Sequence, residues 1–226
     1  MKYKSKNYIG AYVINLEENT DRKKTFFEEW DNIDPRITVV KAIDTRNHLW
    51  ENYKQHISEK AIEELKETIK NKKRIRHEDL TEGAVGCYLS HLKCWRRFLK
   101  ESTPKDYCLI FEDDSSIPKN LIKTTKNIVK RINVEWGAIL LGWRANSQYK
   151  HFNKDLLIAG DFWFLHSYLL SNFGARKLLE LHDKIEIQVD HFMSKHREKV
   201  KVFGTIDNLT TQKNTCGYTN IQTHDA

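Results

Sequence analysis

The chain has 226 residues, 39% of them hydrophobic and 31% charged, with a formal net charge of +7. That length is enough for one large domain with a real core, and the composition excludes a disordered or fibrous chain. No apolar run approaches the ~18 residues of a membrane-spanning helix, so none is expected.

The chain opens on a basic stretch, Met1-Lys2-Tyr3-Lys4-Ser5-Lys6. The apolar run after it is only a strand's length and is interrupted by Asn15 and Glu17, which argues against a signal peptide. Residues 8–16 read as a buried first strand leading into a polar loop at 17–22. A helix follows over 21–31, with Phe26, Phe27 and Trp30 as its apolar stripe, and the β-branched run 37–43 makes a second strand closing on Asp44. The segment 48–78 is helical in composition, carries no special residue cluster, and reads as a peripheral insertion.

Thr81 is placed to cap the next helix, whose body covers 84–100 and is stopped by Pro104. On it, Gly86 and Ser90 lie four apart, a strip of small residues on which another backbone can pack closely. Residues 107–111 form a central-strand run that ends in Glu112-Asp113-Asp114. A helix over 118–132, a strand over 138–141, a loop over 142–154, an aromatic strand over 162–170, a helix from 172, a last strand over 200–203 and an irregular tail from 207 complete the pattern. Strands alternating with helices predict an α/β fold with a mainly parallel central sheet, in a single domain over 1–226.

The four cysteines, Cys87, Cys94, Cys108 and Cys216, lack metal-type spacing. They read as free buried thiols, which favours a reducing, cytoplasmic setting. The lysines, spread along helix surfaces, predict solvated faces rather than a nucleic-acid interface. A basic surface equally attracts a nucleoside diphosphate, an anionic acceptor or a membrane surface as a peripheral contact.

In open α/β sheets, ligands gather at the carboxyl ends of strands. Three adjacent acids at such an end repel one another unless a cation or several donors compensate. Hard cations such as Mn²⁺ or Mg²⁺ suit carboxylate oxygens and leave positions for phosphate. On an extended segment Glu112 and Asp114 share a side and Asp113 faces the other. The plain alternative is a solvated turn in which Asp114 or Ser115 caps the following helix.

Four blocks in order resemble glycosyltransferase family 25, which contains bacterial lipooligosaccharide galactosyltransferases and collagen hydroxylysine galactosyltransferases. They are Val13-Ile14-Asn15-Leu16 with Asp21-Arg22, the run from Gly83 to His91, the run from Leu109 to Asp114, and Tyr168-Leu169-Leu170-Ser171 with Gly174 to Leu179. The resemblance implies a GT-A-type, Rossmann-like nucleotide-sugar fold, a UDP-hexose donor (galactose or glucose), a DxD-like metal site and inversion. It implies an acceptor hydroxyl on a glycan or on hydroxylysine. Asn15, Leu16, Arg22, Ala42, Asp44, Ser90, His91, Glu112 and Asp113 are then expected around the donor, and Asp114 with Glu112 on the metal. Asp190 matches the family's lone acid, expected as the base, although its place at a helix start equally suits a cap. His91 on a helix is also open to a structural role.

Asp161 and His166 are further acceptor-side candidates, and Trp163 or Phe164 suit stacking on a sugar. Gln212 resembles a late family position, whereas Thr219-Asn220-Ile221 departs from the usual pattern. A silent nucleotide-sugar or glycan-binding module is the alternative function.

Overall fold

The computed structural model describes residues 7–74 and 76–213. The amino-terminal basic stretch, Cys216 and Thr219-Asn220-Ile221 lie outside them. Among the described residues eight strands form one sheet: β1 (Asn7–Asn15), β2 (Ile37–Lys41), β3 (Asp106–Glu112), β4 (Ala138–Ala145), β5 (Lys150–His151), β6 (Leu156–Ile158), β7 (Phe162–Ser171) and β8 (Val202–Thr205). Their order is β2-β1-β3-β7-β4-β8-β6-β5. β1 is parallel to β2 and β3, and β4 to β8, while β7 and β6 run against their neighbours. Six of the eight strands therefore share one direction. The sheet is mixed, with six strands in one direction and two reversed, and the α/β arrangement is compatible with the Rossmann-like GT-A expectation.

The helices are α1 (Thr20–Trp30), α2 (Glu59–Asn71), α3 (Glu82–Glu101), α4 (Leu121–Arg131), α5 (Asn172–Leu181), α6 (Val189–Lys195) and α7 (Arg197–Val200), with a 3-10 helix at Leu49–His56. Alternation along the central strands divides the core into two layers. Tyr12 and Ile14 of β1 and Cys108 and Ile110 of β3 face α2, α3, α5 and α6, whereas Ala11, Val13, Tyr107, Leu109 and Phe111 face α1 and α4. Covered on both sides, β3 has no exposed position before Glu112. That two-sided cover explains its uninterrupted apolar run.

Most expected elements appear with ends shifted by a few residues. The segment 48–78, read as peripheral, sends Trp50, Ile57, Ala61 and Leu65 into the larger core. Where 142–154 reads as a loop, β4 continues to Ala145 and β5 follows at Lys150–His151. These stretches pair with β7 and β6, partners that local pattern does not reveal. Residues 200–203 are not the last strand as a whole: Val200 ends α7, Lys201 turns through a left-handed φ of 61°, and β8 begins at Val202. Thr81 does cap α3, its hydroxyl accepting the Ala84 N–H at 3.1 Å.

The strip on α3 receives the backbone leaving β2. A Cβ on Gly86 would stand 2.3 Å from the Ile43 carbonyl oxygen and 2.6 Å from Thr45 Oγ1. Ser90 Oγ accepts the Ile43 N–H at 2.9 Å and donates to the Gly86 carbonyl at 2.6 Å. Gly86→Ala should therefore push the 42–45 segment off α3 and destabilise the protein by about 1–3 kcal/mol, read as a lower urea midpoint. An unchanged midpoint would show that this contact yields without cost.

Candidate functional site

Parity along β3 sends Glu112 toward α3, the same side as Ile110 and Cys108. There Glu112 Oε1 lies 3.3 Å from His91 Nε2 and 3.9 Å from Cys87 Sγ. Cys87 and His91 are four apart on α3 and so share a face. Behind them Tyr168 OH is 2.9 Å from His91 Nδ1 and receives the Trp95 Nε1–H at 2.7 Å. With the Tyr168 hydroxyl donating to His91 Nδ1, the His91 Nε2–H donates to Glu112, which satisfies every member of the chain. Cys87, His91 and Glu112 cluster closely enough to suggest a metal site. In this tautomer, however, His91 has no lone pair to offer toward Glu112.

Asp113 and Asp114 do not lie on opposite sides as expected for an extended segment: β3 ends at Glu112, both acids fall in the turn after it, and both face Arg22. Asp113 Oδ2 accepts from Asn15 Nδ2 at 2.7 Å, and Arg22 lies 3.4 Å from Asp113 and 3.5 Å from Asp114. Asp114 is held by the segment after β8, which folds back across the sheet's carboxyl end. Gln212 Nε2 donates to Asp114 Oδ2 at 3.0 Å, and the Lys213 N–H donates to the Asp114 carbonyl at 2.7 Å.

Two clefts meet at this triplet. The first, about 620 Å³, is lined by Leu16, Asn19 and Arg22 after β1, by Ala42 to Arg46 after β2, by Gly83, Cys87 and Ser90 of α3, and by all three acids and Gln212. Arg46 grips Asp44 through Nε at 2.8 Å and Nη2 at 2.7 Å. The Asp44 carboxyl lies below its usual range because of that hydrogen-bonded guanidinium. The second cleft, about 670 Å³, is lined by His77, Phe164, Leu165, His166, Gln188, Val189 and Asp190. It shares Cys87, Glu112 and Gln212 with the first.

Electrostatically the triplet is unbalanced. Burial pushes the Asp114 carboxyl up to about 7, reinforced by the charge of Glu112, and burial also raises Asp113. Burial acts on Glu112 in the same sense. There the His91 hydrogen bond, with the positive charge of Arg22 beyond it, outweighs it, and the carboxyl ends below its ordinary value. Asp114 Oδ1 is buried without a hydrogen-bond partner. Among the described residues, three carboxyl groups face one guanidinium, Arg22, at the edge of the first cleft. An orphaned carboxylate oxygen beside an uncompensated charge fits a hard divalent cation, which Asp114 and Glu112 could hold.

A sequence model described as glycosyltransferase family 25 (LPS biosynthesis protein) matches residues 8–159, about two thirds of the protein. The chain belongs to glycosyltransferase family 25. Among curated family 25 relatives, a procollagen galactosyltransferase 1-A of Xenopus laevis is 27% identical over 202 residues, covering 83% of this chain and 31% of the relative. Procollagen galactosyltransferase 2 of Homo sapiens is 25% identical over 190 residues, 79% of this chain and 28% of the relative. A protein of Rattus norvegicus named "Probable inactive glycosyltransferase 25 family member 3" is 25% identical over 176 residues, 75% and 29% respectively. The chain thus spans less than a third of the length of each of these relatives.

Against this family background, Leu16, Arg22, Ala42, Asp44, Ser90, Glu112, Asp113 and Asp114 all line the first cleft, and Asp190 lines the second. Two expected donor-facing residues do not reach it. His91 is fully buried behind Glu112, and Asn15 is buried with its amide on Asp113. Both act through an acid because the strand end and α3 close over them. Neither Asp114 nor Ser115 caps a helix, since α4 starts after Asn120. Asp190 is not a cap either. Gln188 holds that position, and Asp190 sits in the first turn of α6, where its Oδ2 accepts the Phe164 N–H at 3.1 Å. Asp161 pairs with Arg197 at 2.7 Å and does not line the second cleft, whereas His166 does. Arg46, His77 and Gln188 carried no signal in the sequence, because each is brought in by packing from a separate element; Cys87, expected as a buried thiol, is only half-buried and lines both clefts.

The raised Asp114 carboxyl has a definite pH signature. Unfolded, it loses its proton near 3.8; folded, it keeps it until about 7, so the native state binds more protons across that window and stability falls as pH rises through it. Manganese should therefore raise the thermal midpoint more at about pH 8 than at about pH 5.5, because below the folded pKa it must displace a proton. Asp114→Asn, measured without metal at about pH 8, should be more stable than the unchanged protein by on the order of 1–3 kcal/mol. Equal midpoints at both pH values with and without Mn²⁺ would discard the cation site.

Proposed function

We propose that the protein transfers a hexose, galactose or glucose, from a UDP-sugar to an acceptor hydroxyl with inversion. In this reading the first cleft takes the nucleotide and the second takes the acceptor, a glycan or a hydroxylysine. The observation that carries it is the meeting of the two clefts at Glu112, Cys87 and Gln212. A donor with its diphosphate over the acids would present its anomeric carbon toward Asp190.

The chain's own residues divide the work. The 42–46 backbone, seated on Gly86 and Ser90, forms the wall for the base and ribose. Arg22, beside Asp113 and Asp114, adds positive charge at the diphosphate end. His91, backed by Tyr168 and Trp95, fixes the orientation of Glu112. A divalent cation, Mn²⁺ or Mg²⁺, held by Asp114 and Glu112, would offset the charge developing on the departing diphosphate. Asp190, oriented by the Phe164 N–H, accepts the proton of the attacking hydroxyl.

A screen of UDP-, GDP- and CMP-sugars, each with Mn²⁺ or Mg²⁺, tests this directly, first for hydrolysis and then with an acceptor panel. UDP-sugar turnover should require the cation. Asp114→Ala should lower it by roughly 10³-fold, and Asp190→Asn should lower transfer by roughly 10²–10⁴-fold with little change in UDP affinity. Full turnover in Asp114→Ala would reject the assigned cation ligand. UDP binding with no turnover under any condition would leave a silent binding module.

A further inference from the structure

We propose that the Phe164 ring is the platform on which a sugar ring of the acceptor stacks, beside Asp190. This inference rests on the transferase reading above and concerns the second cleft. Phe164 is 42% exposed although it belongs to a strand whose remaining residues from Leu165 to Ser171 are buried. Its φ is +70°, a left-handed conformation that a bulky L residue adopts only at a cost. The ring itself lines the cleft and is not part of either core layer. Strain of this kind that packing does not repay is characteristic of binding sites.

The local register shows how the ring is aimed. Ser167 of β7 stands opposite Gly142, and Trp163 stands opposite Arg144. Three residues, Phe164 to His166, therefore bulge against the single residue Trp143. A bulge redirects side chains from the sheet normal, and here it turns both Phe164 and His166 to the cleft. The Phe164 N–H, freed from the ladder by the bulge, donates to Asp190 Oδ2 at 3.1 Å. Platform and acid are thus fixed to each other by one hydrogen bond. The rim beside them is also built from flat rings: Trp163 stacks on His77 with centroids 4.6 Å apart and planes 10° from parallel. His77 Nδ1 in turn lies 3.3 Å from His191 Nε2.

A pyranose suits such a wall. One of its faces presents C–H groups of slight positive charge to the negative face of an aromatic ring, while its edges carry hydroxyls. Stacking on Phe164 leaves one edge hydroxyl directed at Asp190. A flexible hydroxylysine side chain has no comparable face.

The test compares Phe164→Ala, Phe164→Trp and Phe164→Gly with the unchanged protein. Transfer from the UDP-sugar to methyl glycosides of galactose, glucose and N-acetylglucosamine is measured alongside transfer to a hydroxylysine peptide. Saturation-transfer NMR of the same methyl glycosides reads binding without turnover. Phe164→Ala should raise the KM of the glycoside acceptor about tenfold, with no matching rise in the KM of the UDP-sugar, and should abolish saturation of the glycoside C–H signals. Phe164→Trp should restore both. Phe164→Gly should lose acceptor binding as alanine does while keeping or raising the thermal midpoint, because glycine accepts the left-handed backbone. A glycoside KM and NMR signal within about twofold of the unchanged protein in Phe164→Ala would overturn the proposal. So would transfer confined to the hydroxylysine peptide, even with the transferase reading upheld. If no UDP-sugar is turned over at all, that reading falls, and the NMR comparison still decides whether Phe164 holds a sugar.

Discussion

Three carboxyl groups at the tip of a buried central strand hold more negative charge than the donors around them offset. Much of the surrounding structure answers that excess. Arg22 comes from α1, Asn15 from the end of β1, His91 from α3 and Gln212 from the segment after β8. Asn15 and His91 each serve one acid, Arg22 lies between Asp113 and Asp114, and Gln212 reaches the same Asp114 oxygen as Arg22. Glu112 and Asp113 are well supplied with donors, whereas Asp114 keeps one buried oxygen without a partner and a carboxyl raised to about 7. A strand end of this kind is unfavourable for folding and useful for binding a cation.

The same constraint explains why the two clefts are contiguous. The acids sit at the carboxyl end of β3, the strand paired with β1 on one side and the reversed β7 on the other. The parallel side supplies loops after β1 and β2, which form the wall of the first cleft. The reversed strand instead brings its amino-terminal end to the same edge, and with it the bulge at Phe164 to His166 and the contact to α6. Reversal of one strand thus places two differently built sites on either side of Glu112. Under the proposed transfer chemistry, that is the separation between leaving group and nucleophile.

Packing behind the site is polar where it must orient and apolar elsewhere. Trp95, Tyr168 and His91 form a buried hydrogen-bonded chain that ends on Glu112. Buried chains of this kind stiffen a site when every member is satisfied. Gly86 and Ser90 perform the corresponding task for the first cleft by holding the 42–45 backbone against α3.

Much of this was legible from residue order alone. Strand-length apolar runs, Pro104, the Thr81 cap and the crowding of Glu112-Asp113-Asp114 are local signals, and they locate the elements and the acidic tip because each depends on neighbours in sequence. The Gly86 and Ser90 strip was also readable, as spacing on one helix face. What needed the tertiary structure is everything set by non-local pairing. The reversal of β7, the continuation of β4 and the return of 208–213 across the acids have no local period. Nor does sequence distinguish His91 lining a cleft from His91 buried behind Glu112, since one helix face serves both. Asp190 as a cap or as a cleft carboxylate was likewise undecided until Gln188 took the capping position and the Phe164 N–H met the Asp190 side chain. Local composition determined which groups were present, and the burial and strand order of the folded sheet decided which way they face.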